Sequence, residues 1–218
     1  MQKLVIWGAS GHALVVAETV RSRKDYEIIG FIDDVHPERV GEKFCSAQIL
    51  GGKEQLEILP SRGVNHIFFG FGNCQARLKL SALAREKGFQ FATAIHPSAV
   101  VAADASVGKG TLIAAAAVVN PGAQVGENVI INTGASVDHE CVVNDGAHIS
   151  PGVNLAGKVL VGRGAWVGIG ATVADGVVIG AGAVIGAGAL VLDDIPDLVL
   201  AYGVPAKIIR KIKTDEER

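Results

Sequence analysis

From Ile95 to Val191 every sixth residue is aliphatic: Ile95, Val101, Val107, Ile113, Val119, Val125, Ile131, Val137, Val143, Ile149, Leu155, Val161, Val167, Val173, Ile179, Ile185 and Val191. No insertion or exception breaks these seventeen positions. Four residues after each comes a small or β-branched residue, such as Ala99, Thr111, Ala123, Cys141 or Ala165. Gly, Asn or Asp often fills the turn between, as in VGKGTL, VGRGAW and IGAGAV. A period of six matches neither the 3.6-residue helix nor the two-residue alternation of long strands. It fits short strands joined by tight turns and wound into a parallel solenoid, with one aliphatic side chain per flat face turned inward.

Over residues 95 to 192 the chain resembles the hexapeptide-repeat, left-handed β-helix fold. That resemblance implies three hexads per triangular coil, so that residues eighteen apart lie one above the other. Nearly six coils would make a prism ~28 Å long at ~4.8 Å per rung. The 5% aromatic content suits so narrow an interior. Solenoid ends expose unpaired strand edges. The N-terminal region is expected to cover one end and the tail YGVPAKIIRKIKTDEER from Tyr202 the other. Its GVPAK resembles the segment that closes many hexapeptide-repeat acyltransferases, which implies a short helix after the prism.

A formal charge of -2 and a pI near 6.3 give no basic patch that would bind nucleic acid or an anionic membrane by charge alone. Mean hydropathy is +0.37, and residues 110 to 126 and 176 to 192 carry no charge. Their Gly, Asn and Pro content and sixfold period argue against membrane spans. Cys45, Cys74 and Cys141 are odd in number, far apart and without CxxC spacing, which suggests neither a disulfide frame nor a zinc site and fits a reducing cytoplasm. The opening MQKLVIWGASGHA lacks the apolar core and cleavage site of a signal peptide.

Composition shifts near residue 95, which suggests an α/β domain over residues 1 to 94, a solenoid over 95 to 201 and a closing tail over 202 to 218. KLVIWGASGHALVVAETVRSRKDYEIIGFIDD reads as strand (4 to 7), Gly-rich turn, helix (12 to 23) and strand (27 to 32), followed by Asp33 and Asp34. Apolar runs at 48 to 52 and 66 to 72, with helical stretches near 53 to 59 and 74 to 87, continue a Rossmann-like pattern. The turn Gly8 to His12 lets backbone N–H groups approach a phosphate at a helix N-terminus. Asp33 and Asp34 could accept hydrogen bonds from a ribose or base. The full GxGxxG and a second mononucleotide unit are missing, so a single nucleotide suits the domain better than NAD.

The stretch VDHECVVNDGAHISPG, residues 137 to 152, gathers His139, Glu140, Asp138, Asp145 and His148 in a chain otherwise rich in Val, Ala and Gly. His139 and Glu140 fall at turn positions, outside the aliphatic interior. Gly157 is eighteen residues on and so lies directly over His139. A carboxylate beside an imidazole favours its protonated form and fixes its orientation, which strengthens a general base.

With GASGHA at the N-terminus, IDD after the second strand and INTGASVDHE inside the solenoid, nearly the whole chain resembles the sugar O- and N-acyltransferases, specifically bacterial nucleotide-sugar N-acetyltransferases of the PglD type. By that resemblance His139 is the general base, Glu140 raises its basicity and the Gly157 N–H stabilises the oxyanion. Asn132 lines the same cleft, and His148 touches acetyl-CoA from a neighbouring subunit, with Ile169 and Ala187 in the cofactor groove. Ser10, Gly11, His12, Asp33, Asp34 and Gly51 form the nucleotide-sugar pocket. Val35 departs from the basic residue that some relatives place after the acidic pair, which leaves the base, uracil or guanine, open.

The implied reaction is transfer of acetyl from acetyl-CoA to the 4-amino group of a nucleotide-linked, in the first reading UDP-linked, amino-deoxysugar for a bacterial surface glycan. The implied assembly is a cytoplasmic homotrimer. The alternatives are a GDP-linked acceptor, O-acetylation of a sugar of the sialic acid type, and a non-catalytic nucleotide-binding scaffold. A zinc site like that of solenoid carbonic anhydrases is disfavoured, because His96 stands more than two coils from His139.

Overall fold

The computed structural model describes residues 1 to 213. The N-terminal part contains β1 (Gln2–Trp7), α1 (Gly11–Arg23), β2 (Tyr26–Ile32), β3 (Lys43–Phe44), β4 (Ala47–Gly51), α2 (Gln55–Ile58), β5 (His66–Phe69), α3 (Cys74–Glu86) and β6 (Gln90–Phe91). The sheet order is β3-β4-β2-β1-β5-β6, parallel except for the β3 and β4 pair. Ala13, Val16, Ala17 and Val20 of α1 pack on Leu4, Ile6 and Phe68, while Leu56, Leu59 and Ala84 cover Val5, Ile32 and Ile67 on the opposite face. Strand order reverses at β1, and this opens a crevice outside the carboxyl ends of β1 and β5.

After residue 94 the chain becomes two-residue strands stacked in three parallel sheets, with partners eighteen residues apart, as in Ile113↔Ile131 and Val143↔Val161. The first face holds pairs such as Leu112–Ile113 and His148–Ile149, the second Ser136–Val137 and the third Val142–Val143. The second residue of each pair points inward, and together these residues form one continuous aliphatic core. The first corner of the triangle, for example residues 132 to 135, joins face one to face two. The second, at 138 to 141, joins two to three, and the third, at 144 to 147, returns to one.

Two expectations about the ends are corrected. The N-terminal part lies along the flank of the prism: the outward residues Ala94, Leu112 and Ile130 of face one join the core of α1, and His148 is buried beside them. Val100, on the first rung of face two, stays 62% exposed. The tail forms no helix over its described residues. Val199–Gly203 adds to face one beside Val184–Ile185, and Ala206–Lys211 turns back against it as an antiparallel strand. An open sheet edge templates the β-branched run AKIIRK as a strand. The last five residues of the tail lie outside the described residues. Among the described residues no helix is long and apolar enough to cross a membrane.

Candidate active site

The Gly-rich turn follows β1 because the backbone must bend sharply there. Gly8 has φ +121, its N–H donates to the Ile32 carbonyl (2.7 Å), and a Cβ would stand 3.0 Å from the Gly70 backbone. Ser10 takes the N-cap position of α1 without a capping side-chain hydrogen bond, and a Cβ on Gly11 would meet nothing within 4 Å. The helix N-terminus is therefore open, with the geometry that binds phosphate.

Asp33 and Asp34 do not stand free, contrary to the simplest reading of the sequence. Asp33, only 6% exposed, accepts from the Val35 N–H (3.0 Å) and from Arg39 Nη1 (3.2 Å). Asp34 accepts from Trp7 Nε1 (2.7 Å) and from the Lys53 N–H (2.6 Å). The pair ties the ends of β1, β2 and β4 together and shapes the pocket wall. Gly51, with φ +140, closes the same wall by accepting from the Asp33 N–H through its carbonyl (2.9 Å). Arg39, which sequence reading passed over, also donates to the Ala9 carbonyl of the Gly-rich turn (2.8 Å), so a cation stands at the acidic pair although Val35 is apolar.

The far side of the crevice belongs to the solenoid. His148 Nδ1 donates to the Gly72 carbonyl (3.2 Å), which leaves Nε2 to accept from Asn132 Nδ2 (3.2 Å). Its ring stacks on Trp166 with a 5.8 Å centroid separation and 3° between planes, and lies 6.0 Å from His12. Arg77, 1% exposed, donates to the carbonyls of Gly72 (2.7 Å), Gly146 (2.8 Å), Ala147 (3.1 Å) and Asn128 (3.2 Å), pinning α3 to the third corner. Burial, with Arg77 and His12 adding to it, lowers His148 to about 3. Burial and then Arg77 lower His12 to about 4, and its Nε2 is buried without a partner. Both rings are neutral hydrogen-bonding groups at physiological pH, and the orphan His12 nitrogen faces a ligand-sized need. Trp166 and Arg77 carried no motif. Only the eighteen-residue spacing from His148 marked Trp166 as its neighbour on the next rung.

His139 and Glu140 occupy the second corner, with side chains 51% and 62% exposed. His139 Nδ1 faces Glu140 Oε2 at 3.3 Å, and Lys158 Nζ lies 3.8 Å from the same oxygen. The His139 N–H (2.7 Å) and Asn120 Nδ2 (2.8 Å) both donate to Asp138 Oδ1 and hold this carboxyl below the usual carboxylate range. Ring atoms Cε1 and Nε2 of His139 lie 2.5 Å from where a Cβ on Gly157 would stand, so the imidazole fits only because that residue is bare.

Within one chain these residues form two separate groups. His139, Glu140 and Gly157 sit on the corner opposite the face that carries the nucleotide crevice. Asn132, Ile169 (58% exposed) and the exposed Ala187 line the first corner, whose turns at 114 to 117, 132 to 135, 150 to 153, 168 to 171 and 186 to 189 carry no charged side chain. His96 shares that corner, and so does not converge with His139.

Residues 3–83 match the family model "PglD N-terminal domain", and residues 158–193 match "Bacterial transferase hexapeptide (six repeats)". The perosamine N-acetyltransferase of Caulobacter crescentus, solved with CoA and GDP-perosamine as a variant with one histidine replaced by asparagine, is 39% identical; the match covers 96% of this chain and 97% of that one, with TM-score 0.91. The acetyltransferase domain of PglB from Neisseria gonorrhoeae FA1090, in complex with acetyl coenzyme A, is 35% identical over 95% of this chain and 99% of that one, with TM-score 0.89. UDP-N-acetylbacillosamine N-acetyltransferase of Bacillus subtilis is 36% identical over 120 residues, and the match spans about half the length of each protein.

Proposed function

The chain belongs to the PglD type of hexapeptide-repeat sugar N-acetyltransferases, and from that membership we propose that it transfers acetyl from acetyl-CoA to the 4-amino group of a nucleotide-linked amino-deoxysugar. The observation that carries the reading is the second corner, where an imidazole fixed by a carboxylate lies over a glycine whose N–H meets no acceptor among the described residues. Nε2 of His139, the edge turned away from Glu140, takes the proton that the attacking nitrogen must lose. The Gly157 N–H stabilises the oxyanion at the thioester carbonyl, and holding the two reactants together supplies the rest of the acceleration. No acyl-enzyme is needed.

Ser10, Gly11 and His12 hold the diphosphate at the open N-terminus of α1, in a pocket whose wall is built by Asp33, Asp34 and Gly51. The uncharged first corner, with Ile169 and Ala187, takes the pantetheine arm of acetyl-CoA, while Asn132 and His148 line its inner side. Because the two groups of residues face apart within one chain, the complete site lies between neighbouring prisms of a homotrimer. Nucleotide sugars and acetyl-CoA are cytoplasmic metabolites, and the three free cysteines suit that compartment.

A UDP-linked acceptor is the first reading. The relative matched along its whole length was solved with GDP-perosamine, which supports a GDP-linked acceptor as the second. Incubation with acetyl-CoA and a panel of UDP- and GDP-linked 4-amino-deoxysugars, with sialic acid beside them, distinguishes these readings. Thiol release with one amino sugar supports N-acetylation and identifies the nucleotide. Release only with the hydroxyl acceptor moves the function to O-acetylation, and no release with any acceptor favours the scaffold.

A further inference from the structure

Resting on the acetyl-transfer reading, we propose that Asp175 selects the acceptor by charge, so that the substrate enters as an ammonium and an alcohol is rejected. Asp175 lies eighteen residues beyond Gly157, on the next rung of the same corner. Its Oδ1 stands 2.8 Å from the point a Cβ on Gly157 would occupy, the point that His139 Nε2 approaches to 2.5 Å. The base and this carboxylate therefore meet across a gap that a side chain would fill. Gly157 does not adopt a left-handed φ, so glycine is needed here for space and not for backbone conformation.

The other charged groups of the corner are already engaged or share its sign. Glu140 faces Nδ1 of His139, Asp138 accepts from the His139 N–H and Asn120, and Lys158, the cation nearest the imidazole, leans on Glu140. Asp193 follows on the next rung. Asp175 itself pairs with no donor among the described residues.

An alkyl ammonium in the gap has three hydrogens, enough to donate one to Asp175 Oδ1 and one to His139 Nε2 together. A hydroxyl has one, and must leave either the base or the carboxylate without a donor. Nε2 takes the first proton from the ammonium and passes it to solvent. The freed amine forms the C–N bond to the thioester carbonyl carbon. As the C–S bond breaks, Nε2 moves the second nitrogen proton to the departing sulfur. The products are the amide, free CoA thiol and one proton. Asp175 stays ionised throughout and holds the nitrogen in place.

The test is steady-state kinetics of Asp175→Asn and Asp175→Glu with acetyl-CoA, using UDP- and GDP-linked 4-amino-deoxysugars and their 4-hydroxy counterparts as acceptors. Asp175→Asn should raise KM for the amino acceptor about 10-fold or more, leave KM for acetyl-CoA unchanged and narrow the preference for amine over hydroxyl. Asp175→Glu should retain most of the preference. In the wild type, KM for the amine should climb as pH passes the pKa of the acceptor ammonium, and this rise should flatten in Asp175→Asn. An unchanged KM for the amine, or an equal rise for acetyl-CoA, overturns the role of Asp175 while leaving acetyl transfer standing. Absence of thiol release by the wild type with every acceptor overturns the underlying reading and the inference together.

Discussion

At position 140 the solenoid places a glutamate where most rungs place a glycine. The third residue of the turn adopts a left-handed φ, +65 at Gly134 and +67 at Gly146, and Glu140 is forced to +56. A side chain in that region costs about 1 kcal/mol. Glu140→Gly should therefore raise the melting temperature while lowering kcat, since the imidazole loses the group that orients it; a gain in both would show that Glu140 has no part in the reaction. His139→Ala should lower kcat by about 10² to 10⁴ with the fold intact, as expected for loss of a general base. The buried rings supply a pH dependence. His148 and His12 have folded pKa values of about 3 and about 4, below the ordinary 6.5, so the unfolded chain binds protons first on acidification. Their contribution to stability is complete above pH 6.5 and is lost as pH falls toward 4, at about 1.4 kcal/mol per pH unit per ring. In melting curves between pH 7 and pH 4.5, His148→Asn should lose less stability on acidification than the wild type.

Among the elements, the solenoid was legible because one inward aliphatic per hexad is a local rule that no distant contact can override. Ile149 shows it, as a fully buried residue in the continuous core. Ile149→Ala should cost about 2 to 5 kcal/mol, read as a lower denaturant midpoint with unchanged slope. The first βαβ unit was legible as well, down to Gly8. The tail was not: GVPAK suggested a helix, but the free edge at Val184–Ile185 draws the segment into a strand pair, a tertiary influence absent from the local sequence. The candidate site was legible where motif and spacing coincide, as with His139, Glu140 and Gly157. Arg77, Arg39 and Trp166 act through packing between parts remote in sequence, and nothing at their own positions signals it.

At the scale of the whole molecule, Arg77 joins the two architectures. A buried guanidinium supplied only with carbonyl acceptors cannot be removed without leaving those oxygens unsatisfied. Arg77→Met should loosen the α/β domain from the prism and split a single unfolding transition into two, at a cost on the order of 3 kcal/mol; one unchanged transition would show the domains are held mainly by the apolar contact of α1. The same packing turns the nucleotide crevice toward face one and His139 toward the opposite corner, so that each chain carries two incomplete halves of the proposed site. Mixing tests this directly. Subunits carrying His139→Ala are coexpressed with subunits carrying Gly11→Asp, which sets a carboxylate against the phosphate without a steric clash. Each variant alone should be inactive, while mixed oligomers should recover thiol release from acetyl-CoA with a nucleotide-linked amino sugar. No recovery from mixed oligomers that assemble normally would contradict a site shared between chains.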